Sequence, residues 1–329
     1  MPNIVTLGEA LIDMVSTTTG LLSDAPGFEK AAGGAPANVA AGLGCLGASV
    51  GFVGKVGRDP WGVFLRDTLA DCDVDTTALV QTADEFTRLA FVSLRDDGGH
   101  DFLFHGLRGA DELLQVEDLD EEYIASAAVF HFGSITTIKE PARAATLRAV
   151  AIANEAGAVI SYDPNYRPPL WGSEGQARER MLATLPLVHV IKVSSEELKL
   201  LTGTEDPVEG AKGLLAQGPE LVALTFGAQG CTYFLGERYN GSLPGFPVPV
   251  VDTVGCGDAF VAGMLLGILE CERDLSEMTA EDLEATFRFA NAAGALTATG
   301  KGAIPSLPGR EEVEELLHRS PGAQQDEGF

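Results

Sequence analysis

Short runs of apolar, often β-branched residues alternate with stretches of helical period along most of the chain. The runs at 4–7, 50–56, 128–132, 158–162, 189–193 and 221–225 predict strands, and the segments 36–46, 61–70, 141–156, 175–185 and 207–216 predict helices between them. Strand and helix taken in turn give an α/β fold, a three-layer, mostly parallel sheet flanked by helices. Two places break the rhythm. Residues 86–94 and 101–107, joined by DDGGH with its turn glycines, predict an antiparallel hairpin inserted into the series. Residues 11–16 alternate as well, so a small β-sheet lid over a ligand cleft is expected, formed by about 10–32 and 86–110. After Gly241 the pattern turns helical, at 258–270, 280–298 and 310–317. Residues 1–318 are expected to form one domain, and RSPGAQQDEGF at 319–329, polar with Pro and Gly, a frayed tail.

Charge removes several function classes. The chain has 329 residues with 22 Lys+Arg against 48 Asp+Glu, a formal net charge of −26, and a nucleic-acid binder needs a basic face instead. With 45% hydrophobic and 21% charged residues it has the material for a core and is no disordered acidic polymer. Cys45, Cys72, Cys231, Cys256 and Cys271 are odd in number and contain no CxxC pair, which predicts reduced thiols rather than a disulfide framework or a zinc ribbon. No Lys or Arg precedes Lys30, so the N-terminus lacks the charge of a secretory signal. The longest apolar run, 259–269, is too short to span a bilayer. These features predict a cytoplasmic protein that meets no membrane.

Three motifs fail on inspection. GLGCLG at 42–47 satisfies the dinucleotide pattern GxGxxG, yet it follows a helical segment instead of a strand. GALTATGK at 294–301 has one residue too many for a P-loop, and Gly302 stands where Ser or Thr must meet magnesium. The NGS triplet at Asn240 reads as a turn.

Two stretches carry chemistry. In VVDTVGCGDAFVAGMLLGILE, residues 250–270, a helix-period apolar face starts just after Gly255, Cys256 and Gly257. Their N–H groups would point out from a helix start, where unsatisfied donors and the helix dipole favour an anion. Asp258, in the first turn, could then accept a proton from a hydroxyl attacking a bound phosphate. An ordinary Asp at a helix start, with glycines turning the chain, fits the same spacing and stays open. In AAGGAPANVAAGLGCLGA, residues 31–48, paired glycines ahead of Pro36 offer bare backbone to a cleft. Asn38 there has both a donor and an acceptor, the capacity that sugar hydroxyls need; a glycine turn with a helix cap is the alternative.

Together the two stretches resemble the paired signatures of the ribokinase-like sugar kinases, also called the phosphofructokinase B type. GGAPANVAAGLGCLG stands for the first and DTVGCGD for the second, and intermediate matches extend from Ile4 to about Leu317. The resemblance implies a ribokinase-like fold, with ATP and Mg²⁺ as cofactors. Asp258 matches the family's catalytic base, and Gly255, Cys256 and Gly257 match its anion hole, where the middle residue is commonly alanine. Asp13 in GEALIDM, with Gly33, Gly34 and Asn38, matches residues that hold the sugar, and Arg167 in YDPNYRPPLW an arginine near the transferred phosphate. On the nucleotide side Thr225, Gly227 and Gly230 in LTFGAQG match the strand-turn segment near ATP, and Asn291 a residue beside the adenine. Lys192 and Glu197 in KVSSEEL fall on the segment whose glutamate acts on Mg²⁺ through water; Ser194 replaces the usual Asn. Asp252 is the candidate K⁺ ligand by analogy with potassium-activated relatives. In the hairpin, FLFHGLRGAD offers His105, Gly106 and a displaced Arg108 where relatives often pair an aromatic residue with arginine.

SYDPNYRPPLW, HFGSI and KVSSEELKLLTG are most similar to the fructokinases of that family. The expected reaction is therefore MgATP-dependent phosphorylation of D-fructose at its 6-hydroxyl. 2-Keto-3-deoxygluconate kinase and ribokinase keep the chemistry and change the acceptor. A catalytically silent sugar-binding regulator on the same fold is a different class, against which the intact GCGD and Arg167 speak. The expected partners are the sugar and ATP, with a homodimer through the lid as in many relatives. A site that passes an anionic phosphoryl group within a −26 protein is expected to be a positive cleft in an acidic exterior.

Overall fold

Strand β1 (Ile4–Leu7) is buried at every position and lies in the middle of the main sheet. The computed structural model describes residues 1–94, 100–105 and 108–319. From β1 the chain makes an excursion through β2 (Leu11–Ser16) and β3 (Phe28–Gly33) into helix α1 (Ala35–Cys45). It returns with β4 (Val50–Gly57), parallel to β1 with Ile4 beside Val50. Helix α2 (Pro60–Asp71) leads to β5 (Val74–Asp75) and β6 (Leu79–Thr82), both of which pair with β4. A second excursion, β7 (Leu89–Leu94) and β8 (His100–His105), precedes α3 (Glu121–Ala125) and β9 (Val129–Gly133), which flanks β1 on its other side. Strand and helix then alternate outward as α4 (Ala142–Glu155), β10 (Val159–Asp163), α5 (Glu174–Thr184), β11 (Val190–Ser194), α6 (Ser195–Thr202), α7 (Pro207–Leu215) and β12 (Leu221–Thr225). Strands β13 (Cys231–Leu235) and β14 (Tyr239–Leu243) turn back antiparallel at that edge, followed by α8 (Cys256–Glu270), α9 (Ala280–Thr297) and α10 (Arg310–Arg319).

The sheet order is β14-β13-β12-β11-β10-β9-β1-β4-β5. Its central strands are buried on both faces, which is why they read as unbroken apolar runs rather than alternating ones. One apolar cluster joins the sheet to α1, α2, α8, α9 and α10, and another joins its opposite face to α3 through α7. These are the three layers. Because the chain goes first to β4 and then to β9, the sheet direction switches beside β1, and a crevice opens at the carboxyl ends of the strands.

Two features differ from the sequence expectation. Strands β13 and β14 extend the sheet beyond β12, over residues 231–243, where the sequence pattern names no strand. The β14 segment, YNGSL, is a half-buried edge strand with a glycine and no apolar run, so its periodicity is weak. The lid has four strands in the order β3-β2-β7-β8, because FEKAAG pairs with β2 despite two charged residues on its exposed stretch. Its hairpin begins at Leu89 rather than Phe86, and the DDGG of its turn and the tail beyond Arg319 lie outside the described residues. Among the described residues no helix is long and apolar enough to cross a membrane.

Candidate active site

Residues at or just past the strand ends converge at the crevice: Glu9 after β1, Asp163 at the end of β10 with Asn165 after it, and Ser194 at the end of β11. Facing them are the N-termini of α1 and α8, while Asp13 on β2 and Phe104 on β8 reach in from the lid. The walls enclose a cleft of about 330 Å³ that also takes in Asn38, Arg167, Lys192, Glu197, Gly255, Gly257 and Asp258. Helix α8 can start where it does because Gly255 adopts φ +82°, and an added Cβ would lie 2.7 Å from Ala303. Among the described residues no side chain caps this helix, and of its opening N–H groups that of Cys256 makes a long 3.4 Å bond to the Thr253 carbonyl, a helix start of the kind that favours an anion.

Asp258 is buried in the first turn. Its Oδ2 accepts a 2.8 Å hydrogen bond from Asn38 Nδ2, and its Oδ1 a 3.3 Å one from Asn165 Nδ2. Burial pushes its carboxyl up, the Asn38 bond pulls it back, and Asp163, Lys192 and Arg167 add smaller opposing effects; the result is about 6. Behind it Lys192 Nζ forms a buried 3.1 Å ion pair with Asp163 Oδ2. Burial opposes the lysine's charge, yet Asp163, Glu197 and Asp258 more than offset this and raise its pKa. The Nζ lies 3.3 Å from where a Cβ on Gly257 would stand, directly beside the start of α8.

On the lid side Asp13 is held up at about 7 by burial, against the pull of Arg167 and with Asp258 adding to it. Any Cβ on Gly33 would collide with its carboxylate, which explains a bare backbone there. Arg167 is half-buried and donates to the Tyr166 carbonyl at 3.3 Å. Glu197 closes a capping box, accepting from Ser194 N–H at 2.8 Å, while its other oxygen accepts from Tyr166 N–H at 2.8 Å. Ser194 therefore serves as the N-cap of α6. Thr225, Gly227 and Gly230 line the β12–β13 turn, and Asn291 on α9 donates to the carbonyls of Leu243 and Pro244 at 3.5 and 3.3 Å. These four residues stand outside the cleft walls, toward the β14 edge. Asp252 accepts from the N–H groups of Val254 and Gly302 at 3.1 and 2.9 Å and lines an adjoining cavity with Lys301.

A model of the pfkB family of carbohydrate kinases matches residues 1–310. The chain belongs to that family. Fructokinase-1 of Oryza sativa subsp. japonica is 46% identical over 317 residues, which cover 95% of this kinase and 97% of the rice protein. Among solved structures, fructokinase with bound ATP from Xylella fastidiosa superposes with a TM-score of 0.88 at 35% identity, over 98% of this chain and 100% of that one. A fructokinase double mutant from Vibrio cholerae O395, in its fructose, ADP and potassium ion bound form, gives 0.85 at 31% identity, over 96% and 98%.

Within this kinase the cleft is not the positive one that charge reasoning anticipates. Four acids, Glu9, Asp13, Glu197 and Asp258, share its walls with two bases, Arg167 and Lys192. Burial moderates the imbalance by holding Glu9 at about 8 and Asp13 at about 7, so that both carry protons for part of the time near neutrality.

Glu9, Asp163 and Asn165 are the residues that sequence reasoning missed. For Asp163 a signal existed, a carboxylate at the carboxyl end of a parallel strand, where such sheets place ligands. For Glu9 the signal is a lone charge inside the apolar TLGEALI. Its Oε1 accepts from Ala35 N–H at 3.0 Å, while Oε2 is buried with no hydrogen-bond partner. Burial raises its pKa from 4.5 to about 8, against the backbone donors and with Asp111 adding to it. The folded kinase thus keeps a proton that the unfolded chain loses above pH 4.5, and this group's contribution to stability falls as pH rises toward 8. Glu9→Gln cannot titrate and preserves the bond from Ala35. Its stability relative to wild type, measured by urea unfolding, should rise by about 2–3 kcal/mol between pH 5.5 and 7.5; a gap that stays constant would show that Glu9 is ionised in the fold.

Proposed function

We propose that the protein transfers the γ-phosphoryl group of MgATP to the 6-hydroxyl of D-fructose, giving fructose 6-phosphate and ADP. The observation that carries this reading is a buried carboxylate, Asp258, held by two amides beside an uncapped helix start in a cleft whose lid wall presents Asp13. The choice of fructose is supported by the relatives, which bear that name over nearly their whole length.

The sugar would lie between Asp13, with Asn38 and the bare backbone of Gly33 and Gly34, and Asp258. A free hydroxyl holds its proton far above neutrality, so Asp258 takes it as the bond to phosphorus forms, a role worth about 10²- to 10⁴-fold. With a pKa of about 6, the base is mostly ionised at pH 7.5 and still close enough to neutrality to accept a proton. The N–H groups of Gly255, Cys256 and Gly257 at the start of α8 would meet the charge that develops on the phosphoryl group, and Arg167 and Lys192 line the same cleft. Lid closure over the sugar would exclude water and limit hydrolysis of ATP.

Magnesium keeps several waters and is bound by substrate phosphates with one or two carboxylates, and the residues present suit such a site. Glu197 lines the cleft with one N–H on each oxygen, leaving lone pairs for a metal-bound water. When bound, the ion supplies charge neutralisation on the phosphates. Asp252 is the residue for a potassium ion, its carboxylate lining the cavity that adjoins the cleft. Thr225, Gly227, Gly230 and Asn291 would form the nucleotide end. Cytoplasmic action and pairing of two copies through the lid, whose edge strand β8 exposes Leu103, belong to the same proposal.

The test is an ADP-release assay over fructose, 2-keto-3-deoxygluconate, ribose and adenosine. Fructose is expected to lead in kcat/KM by about tenfold or more, the discrimination that one or two well-placed hydrogen bonds provide. Equal turnover with any of the others would remove fructose as the substrate.

A further inference from the structure

Two amides from distant parts of the chain meet on Asp258, and only that of Asn38 belongs to a stretch already tied to the sugar. The other, Asn165, sits in an unusual conformation. Its φ is +43°, and it is one of three non-glycine residues with positive φ among the described residues, a region that side chains enter at a cost and that Asn tolerates best. That conformation is fixed from below, because Asn165 N–H donates to Asp163 Oδ1 at 3.0 Å while Asp163 Oδ2 holds Lys192 at 3.1 Å. Both members of this ion pair are buried, with side-chain exposures of 8% and 3%. The strained turn delivers the Asn165 amide to the Asp258 oxygen that Asn38 does not use.

We propose that Asn165 is a positioning residue for the base, fixing the plane of the Asp258 carboxylate from its second oxygen, and that Asp163 ties this clamp to Lys192. The proposal rests on Asp258 being the base. One donor alone leaves a carboxylate free to swing about its Cβ–Cγ bond, whereas donors on both oxygens fix the direction of the lone pair offered to the hydroxyl. One buried residue, Asp163, then sets both the base and the cation beside the anion hole, so the acceptor and phosphoryl ends of the reaction share a support. Besides the two amides, the groups acting on Asp258 are Asp13 from β2, Asp163 from β10, Arg167 from the following loop, Lys192 from β11 and the Cys256 thiol on its own helix. Deleting the Asn165 amide leaves all of these in place and removes one donor that favours the ionised form.

Asn165→Gly isolates this effect, since glycine keeps the left-handed backbone and the N–H bonded to Asp163. The acid limb of kcat/KM for fructose should move upward by about half to one pH unit, and kcat at pH 6.5 should fall by about tenfold. KM for ATP should stay within about twofold, and the thermal midpoint should hold or rise as the strain is released. An acid limb that coincides with wild type would overturn the clamp, whether or not turnover falls, because a merely structural role would lower rate without moving the limb. Asp258→Asn measured in parallel separates the two failures. If it retains turnover, the base assignment itself falls; if it loses turnover while Asn165→Gly keeps the wild-type limb, only the clamp falls.

Discussion

Asp258→Asn is expected to lower kcat by about 10³-fold while the protein still binds ATP and sugar, since positioned general bases contribute about 10²- to 10⁴-fold. The substitution keeps the shape of the side chain and removes its ability to take a proton. It also sets an NH₂ group where the carboxylate accepted from Asn38 and Asn165, so one donor must turn away, a modest loss at a buried site. The helix start at Gly255 and the cations Arg167 and Lys192 are untouched, which is why binding should survive. In the wild type, kcat/KM should rise as pH passes through about 6, where Asp258 ionises, and then level. The residual activity of the variant should show no such limb. Wild-type-like kcat in Asp258→Asn would end the assignment of this residue as the base.

Lys192→Met is expected to act on both stability and catalysis. The ammonium is the ion-pair partner of Asp163 at 3.1 Å, and removing it leaves a carboxylate buried and unpaired, a change that costs about 3–5 kcal/mol. The same loss leaves Asp163 negative beside Asp258 without its counter-charge, which raises the base further and moves the acid limb of the rate profile upward. The double variant Lys192→Met/Asp163→Asn discriminates between these effects. With neither charge of the pair left, it should recover most of the stability by urea unfolding while turnover stays low, because the cation beside Gly257 is still missing. Turnover recovering together with stability would show that Lys192 serves the fold alone.

Much of this molecule is legible in its sequence for an identifiable reason. The central strands announce themselves because both faces are buried, and the start of α8 because two glycines flank the point where a helical apolar face begins. The lid was visible through the alternation of 11–16 and the hairpin glycines, but FEKAAG was not, since its charged residues point to solvent and its pairing partner β2 supplies the order. The site was legible only in part. Asp258, Asn38 and Asp13 lie in stretches with a recognisable local pattern, whereas Glu9, Asp163 and Asn165 act through contacts that no local period encodes. Asp163 matters because Lys192 stands on the neighbouring strand, and Asn165 because α8 comes back to it from 93 residues further along. The cleft was expected to be positive because Glu9 was not foreseen in its walls, and the burial that raises Glu9 and Asp13 brings it back only part of the way.

The bond between Asn38 and Asp258 spans 220 residues of chain, and this places the active site late in the life of the folding polypeptide. Closing so long a loop adds little entropy beyond that of a shorter one, but contacts this distant form after local ones. Synthesis runs from the N-terminus at roughly 5–20 residues per second, so α1 and the first lid strands exist for roughly 10 to 40 seconds before α8 is made. During that interval Asn38 has no Asp258 carboxylate to hold. The proposed anion hole and the proposed base then arrive together, because Gly255 to Asp258 are four consecutive residues. Once α8 is made, both sides of the Asn38–Asp258 bond exist for the first time.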